Sequence, residues 1–159
     1  MKIKIGDCFP EVTLFFLNDG KPEKVKSSKL FNNKNIVLVS VPGAFTPTCS
    51  NDHLPGYIKN IEKIKNKGID EIYFVSVNDP FVMDAWIKSY PNNKIKYVAD
   101  SNSDLLNSTG LEIDLEIIGL GKRLSRFALV LENGLIKLIL NEDGGNLEKS
   151  TAENLLDNL

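Results

Sequence analysis

Five side chains in this sequence are of a type and in a setting that can carry chemistry: Pro42, Thr46, Cys49, His53 and Arg126. Four of them belong to one stretch, which opens Val41-Pro42-Gly43-Ala44-Phe45-Thr46-Pro47-Thr48-Cys49-Ser50. The apolar run Ile36-Val37-Leu38-Val39 before it reads as a buried strand. After it, Tyr57, Ile58, Ile61 and Ile64 recur at helical spacing. Cys49 therefore falls in or near the first turn of a helix, where unpaired N–H groups and the positive end of the helix dipole favour a thiolate. Thr46 offers a short hydroxyl that can donate to the sulfur or to a group beside it. The prolines fix the loop and shield the thiol from bulk water. A buried structural cysteine is the plainer reading, but it does not need a Pro-braced loop with Thr-Pro-Thr in front of it.

Acidity alone does not make a thiol fast. Lowering a thiol pKa from about 8.5 to about 6 raises its thiolate fraction at pH 7 roughly thirtyfold. The accompanying loss of nucleophilicity takes back roughly tenfold. A fast reaction also needs donors placed in advance around the leaving oxygen, where charge develops. The chain has only two Arg among its 19 basic residues, Arg123 and Arg126. Arg126 opens the apolar strand Phe127-Ala128-Leu129-Val130 and presents planar, permanently charged donors that can face the Cys49 loop. Arg123 reads equally as a surface salt bridge. His53, one helical turn beyond Cys49, reads as a helix-surface or packing side chain before it reads as a base. Cys8, in Gly6-Asp7-Cys8-Phe9-Pro10, has no comparable surroundings and reads as a small packed or partly exposed residue.

The elements that position these groups follow from punctuation and periodicity. Residues 3–10 read as an extended arm and 12–17 as a short strand, closed by the turn signal Asn18-Asp19-Gly20. A polar return follows, with Ser27-Ser28 as caps for the segment Lys29-Leu30-Phe31. The central strand, 36–41, lacks polar alternation and is expected to be covered on both faces. Pro55 predicts a kink in the reactive helix, which stops near Gly68. A second strand, 72–77, leads through Asn78-Asp79-Pro80 to a helix over 81–90, capped by Asp79. A third strand over 96–99 and a short helix over 104–108 come next. Residues 111–121 show no clear period. Asn133-Gly134 marks a hairpin between 126–131 and 135–140. Glu142-Asp143-Gly144-Gly145 reads as a loop, and Thr151 as the N-cap of a closing helix. The order describes an α/β sandwich with a mixed sheet.

With 159 residues, 42% of them hydrophobic, the chain is long enough for one real core and is expected to form a single domain over 1–159. A net charge of −2 argues against nucleic acid and anionic membranes as partners, and no apolar run approaches a membrane span. Two cysteines without a CxxC pair point to a reducing intracellular compartment. That means the cytoplasm, or a mitochondrion or plastid if a transit peptide has been removed. A single histidine excludes zinc sites built on several His, and neither metal nor cofactor is expected.

The segment from Pro42 to Gly56, with Pro-Gly-Ala-Phe-Thr-Pro-Thr-Cys-Ser and then His-Leu-Pro-Gly, resembles the type-5 peroxiredoxins, and among them the plant type-II forms. Ser76-Val77-Asn78-Asp79-Pro80-Phe81-Val82-Met83 with Ala85-Trp86, and Arg123-Leu124-Ser125-Arg126-Phe127-Ala128-Leu129, match two further signatures of that class. The resemblance implies a thioredoxin-like sandwich with a mixed central sheet flanked by helices. It makes Cys49 the peroxidatic cysteine, Thr46 and Arg126 the donors that position the peroxide, and Pro42 the shield of the thiolate. It also implies a homodimer. Members with an intramolecular resolving cysteine carry it where this chain has Phe74 or Lys149. The resemblance is therefore to a one-cysteine enzyme reducing hydrogen peroxide and organic hydroperoxides through a Cys49 sulfenic acid. An external thiol would regenerate it, glutathione or glutaredoxin ahead of thioredoxin. The competing reading is a redox relay or peroxide sensor that passes oxidation to a protein partner. A cysteine hydrolase would need a separately oriented base, and the only His lies on the helix of Cys49 itself.

Overall fold

A computed structural model describes all residues from Met1 to Leu159. Seven strands form one mixed sheet in the order β2-β1-β5-β4-β3-β8-β9. These are β1 (Thr13–Asn18), β2 (Lys21–Lys26), β3 (Asn35–Ser40), β4 (Glu71–Ser76), β5 (Lys96–Ala99), β8 (Phe127–Glu132) and β9 (Leu135–Asn141). β3, β4 and β5 run parallel, and β8 pairs with β3 antiparallel. The period of two along each strand divides the core. Val37, Val39, Ile72 and Phe74 face one side, where α2 (Leu54–Asn66), α3 (Pro80–Lys88) and α5 (Ala152–Asp157) bury Tyr57, Ile64, Trp86 and Leu155 against them. Ile36, Leu38, Tyr73 and Val75 face the other side, covered by α1 (Ser27–Phe31) and α4 (Asp104–Thr109). This is the mixed sheet flanked by helices that the resemblance implies.

Several local expectations hold. Asp79 caps α3 by accepting from Val82 N at 2.9 Å, and Thr151 caps α5 by accepting from Asn154 N at 3.1 Å. Asn133 and Gly134 both take positive φ, +49° and +79°, as a two-residue hairpin turn requires. Two expectations do not hold. Ser27 and Ser28 lie inside α1 rather than capping it. Ser27 Oγ instead accepts from Val12 N at 3.0 Å and donates to Pro10 O at 2.9 Å, tying the start of β1 to the helix. The reactive helix is also interrupted upstream of Pro55. Cys49–His53 forms a π-helical turn in which Leu54 N reaches back to Cys49 O, so the widened turn is complete before Pro55 withholds its N–H.

The stretch without clear period, 111–121, forms a separate two-stranded hairpin of β6 (Glu112–Leu115) and β7 (Gly121–Leu124). A 3₁₀ turn, Glu116–Ile118, joins them, and its tip leaves Ile117 96% exposed. β6 alternates exposed Glu112 and Asp114 with half-buried Ile113 and Leu115, a period of two that lasts only four residues before the turn.

Candidate active site

β3 ends at Ser40, and the chain turns through the loop that brings Cys49 into the core, 1% exposed. Phe45 adopts φ +62°, an unfavourable conformation for a bulky residue, with its ring outside. That turn lets Thr46 Oγ1 donate to Gly43 O at 2.6 Å. The threonine proton is thus committed to the loop backbone, and of the two expected recipients, the sulfur or a group beside it, the sulfur receives none; the lone pairs of Oγ1 are left to accept. A Cβ at Gly43 would lie 3.0 Å from Thr46 Cγ2, so a larger residue there would press on the threonine. Ala44 N donates to Asn78 Oδ1 at 2.9 Å, and Asn78 Oδ1 also accepts from Ser76 Oγ at 2.7 Å, so the end of β4 holds the loop. α3 and the turn after it hold the helix start: Trp86 Nε1 donates to Ser50 Oγ at 2.9 Å and Tyr90 OH donates to Ser50 O. The backbone ladder closes with Ser50 N on Thr46 O at 3.0 Å, so the N–H groups of Thr48 and Cys49 precede it.

Arg126 shares its strand parity with Ala128 and Val130, which places it on the α2 side of the sheet, 3% exposed. Its Nη1 lies 3.4 Å from Cys49 Sγ and 3.1 Å from His53 Nδ1. Its Nε is buried without a partner. Such a donor beside a buried sulfur is set for an acceptor that enters the site. Arg123, read as a possible surface salt bridge, pairs with no carboxylate. It donates from Nε to Leu120 O at 2.7 Å and from Nη1 to Pro42 O at 3.3 Å, and so ties the β6–β7 hairpin to the reactive loop.

His53 is not on the helix surface. It is buried, and its neighbours dictate its chemistry. A guanidinium only donates, so Nδ1 carries no proton and accepts from Arg126. Nε2–H then donates to Ser150 O at 3.0 Å. Burial lowers the His53 pKa to about 4, with the Ser150 bond opposing and the Arg126 charge assisting, so the ring is neutral near pH 7. Both nitrogens are engaged, and neither is free to act as base for Cys49.

The loop read only as Glu-Asp-Gly-Gly supplies a residue that sequence reading missed. Glu142 is 4% exposed and Oε1 accepts from Ser150 N at 2.7 Å, Ser150 Oγ at 2.8 Å and Glu148 N at 2.8 Å. Burial alone would raise its pKa, but these donors hold it below the usual carboxylate range. The only hint in the sequence is an acidic residue directly after a strand, which is too common to single it out.

Cys8 is exposed and forms an isolated bridge with Leu135, beside the β8–β9 turn. That is the end of the sheet away from the Cys49 loop. No cluster of three or more His, Cys, Asp or Glu side chains is placed to hold a metal ion.

The Redoxin family pattern matches residues 4–156. Peroxiredoxin-2C of Arabidopsis thaliana is 47% identical over 156 residues, covering 97% of this chain and 96% of that protein. Among solved structures, reduced Prx3 from Vibrio vulnificus in complex with H2O2 superposes with a TM-score of 0.93 at 39% identity, covering 98% of each chain. The Plasmodium falciparum antioxidant protein, a 1-Cys peroxiredoxin, superposes with a TM-score of 0.91 at 33% identity, covering 99% of this chain and all of that one.

Proposed function

The chain belongs to the Redoxin family and is a peroxiredoxin, a thiol-dependent peroxidase, and from that premise we propose that Cys49 is the thiol its hydroperoxide substrate oxidises. The observation that carries this reading is the buried Cys49 Sγ 3.4 Å from Arg126 Nη1, with Arg126 Nε unpartnered alongside. The thiolate attacks the terminal oxygen of ROOH. An S–O bond forms as the O–O bond breaks, sulfur is oxidised by two electrons to the sulfenic acid, and the departing RO⁻ takes a proton to leave as ROH. The free Arg126 donor faces the charge that develops on the departing oxygen. Thr46 Oγ1, whose proton is committed to Gly43 O, accepts from the peroxide O–H. Pro42 screens the sulfur from bulk water.

Regeneration uses an external thiol. Glutathione attacks the sulfenic acid, releasing water and leaving a mixed disulfide at Cys49. A second thiolate, from glutathione or glutaredoxin, then frees the enzyme, with thioredoxin the lesser alternative. Phe74 and Lys149 at the positions of an internal resolving cysteine, and Cys8 at the opposite end of the sheet, support this route. The enzyme acts as a homodimer in a reducing compartment. Exposed Phe45 and Phe81, on either side of the Ala44–Asn78 bond, supply apolar surface for a second copy. Relatives include chloroplastic peroxiredoxins, and no helix here is long and apolar enough to cross a membrane.

Steady-state turnover of hydrogen peroxide with glutathione, with and without glutaredoxin, tests the reading. Turnover that disappears in Cys49→Ser and persists in Cys8→Ser is the expected result. Equal loss in both variants would overturn the assignment of Cys49 as the sole reacting thiol.

A further inference from the structure

We propose that Glu142 is a positioning residue for the peroxide reaction, holding Arg126 at both backbone and guanidinium through a closed ring of hydrogen bonds by way of Ser150 and His53. The proposal rests on the reading of Arg126 given above. Glu142 N donates to Arg126 O at 3.0 Å, which fixes the main chain of the arginine. Glu142 Oε1 accepts from Ser150 N at 2.7 Å and Ser150 Oγ at 2.8 Å. Ser150 O accepts from His53 Nε2 at 3.0 Å and Tyr57 OH at 2.8 Å. His53 Nδ1 accepts from Arg126 Nη1 at 3.1 Å, and the circuit closes beside Cys49 Sγ.

Two features separate this from ordinary loop closure. Glu142 forms no salt bridge, although a buried carboxylate is costly unless fully partnered. Its partners converge on a single oxygen and come from the segment that presents the Ser150 carbonyl. That carbonyl and Arg126 together fix the tautomer of His53. If Ser150 moves away, Nε2–H loses its acceptor, and only Arg126 is left to keep the proton off Nδ1, where donor would face donor. Glu142 touches neither peroxide nor sulfur. It acts by keeping one nitrogen of His53 bare.

The test is stopped-flow oxidation of Cys49 by hydrogen peroxide, followed by the fluorescence of Trp86, the only tryptophan, whose indole bonds Ser50. Glu142→Ala is expected to slow oxidation on the order of tenfold, a part of the ~10²–10³ that outright loss of a transition-state donor costs. Glu142→Gln keeps an acceptor oxygen and is expected to recover most of the rate. Arg126→Lys is expected to be slow by itself, and adding Glu142→Ala to it should cost little more, because Glu142 acts only through the guanidinium that the lysine lacks. ¹⁵N spectra of His53, the only histidine, should show the Nε2–H tautomer in the wild type and Glu142→Gln, and mixed tautomers in Glu142→Ala. Should Glu142→Ala fail to fold, Ser150→Ala removes the Oγ donor to Glu142 and the Oγ contact to His53 Nε2 at 3.4 Å while keeping the carbonyl, and is expected to show a smaller loss in the same direction. A wild-type rate in Glu142→Ala, or losses that multiply in the double variant with the tautomer unchanged, would overturn the ring while leaving Arg126 in place. A wild-type rate in Arg126→Lys would instead overturn the reading of Arg126, and the ring with it.

Discussion

At the Cys49 sulfur, which we propose takes the peroxide oxygen, charge placement is expected to outweigh acidity, because making a thiol more acidic gains little net rate. The groups around Cys49 should then be separable by mutation. Thr46→Val keeps the shape of the side chain and removes its hydroxyl. We expect the rate of Cys49 oxidation to fall on the order of 10²-fold, with a stability change within about 1.5 kcal/mol, read by stopped flow and urea unfolding. Arg126→Lys should also be damaging, since an ammonium cannot supply Nη1 and Nε together. His53 gives a further prediction from its titration. The groups facing it are Cys49, Arg126, Tyr57 and Glu142. Its folded pKa, about 4, lies below its ordinary 6.5. Between those values the unfolded chain binds a proton that the folded one refuses, so stability falls as pH drops through that window, by up to about 3 kcal/mol. Asp100 opposes it. Burial raises its pKa from 3.8 to about 6, so the folded state keeps a proton that the unfolded state releases, and stability rises as pH drops from 6 toward 4. Carboxylates held low, such as Glu142, add the same loss on acidification to both proteins, so His53→Asn should lose less stability than the wild type as pH falls. Unfolding free energies at pH 7 and 4.5 decide it, and equal slopes in both proteins would contradict the assignment.

The elements do the placing. The end of β4 holds the loop through Asn78, α3 and the turn after it hold Ser50 through Trp86 and Tyr90, and the Cys49–His53 turn sets both side chains toward Arg126. Asn78→Ala orphans the Ala44 N–H and is expected to cost about 1–3 kcal/mol, with slower Cys49 oxidation. Wild-type kinetics in a destabilised Asn78→Ala protein would show that the loop is held by other means. Much of this scaffold is written locally in the sequence. Asn133-Gly134 names its hairpin because few residues accept two positive φ values in succession, and Asp79 and Thr151 name their helix starts through a side chain that reaches only three residues. The Pro42 to Cys49 loop is equally local. What sequence reading could not find are contacts between distant segments. His53 meets Ser150 across 97 positions, and Glu142 is an ordinary loop acid until the fold encloses it. The kink predicted at Pro55 gives way to the π turn at Cys49–His53 for a related reason: proline is the visible helix breaker, whereas a widened turn leaves no residue signature.

Over the whole molecule, the sheet separates the two thiols. Cys8 pairs with Leu135 near the start of β3, whereas Cys49 follows its end, and six strand residues span about 20 Å. A disulfide needs Cα atoms within about 7 Å, so no Cys8–Cys49 bridge can form within the folded chain. The proposed dimer is tested at this scale too. Phe81→Lys, which puts a charge on exposed apolar surface, should shift the sedimenting species from dimer toward monomer. Unchanged sedimentation would place the second copy elsewhere. The central claim is that Cys49 alone takes oxygen from a hydroperoxide and hands it to an external thiol. Intact mass and peptide mapping after one equivalent of peroxide, with and without glutathione, test it most directly. A single added oxygen on the Cys49 peptide is expected without glutathione, and a glutathionyl mixed disulfide on the same peptide with it. Oxygen on Cys8, or a Cys8–Cys49 disulfide formed promptly without added thiol, would contradict it.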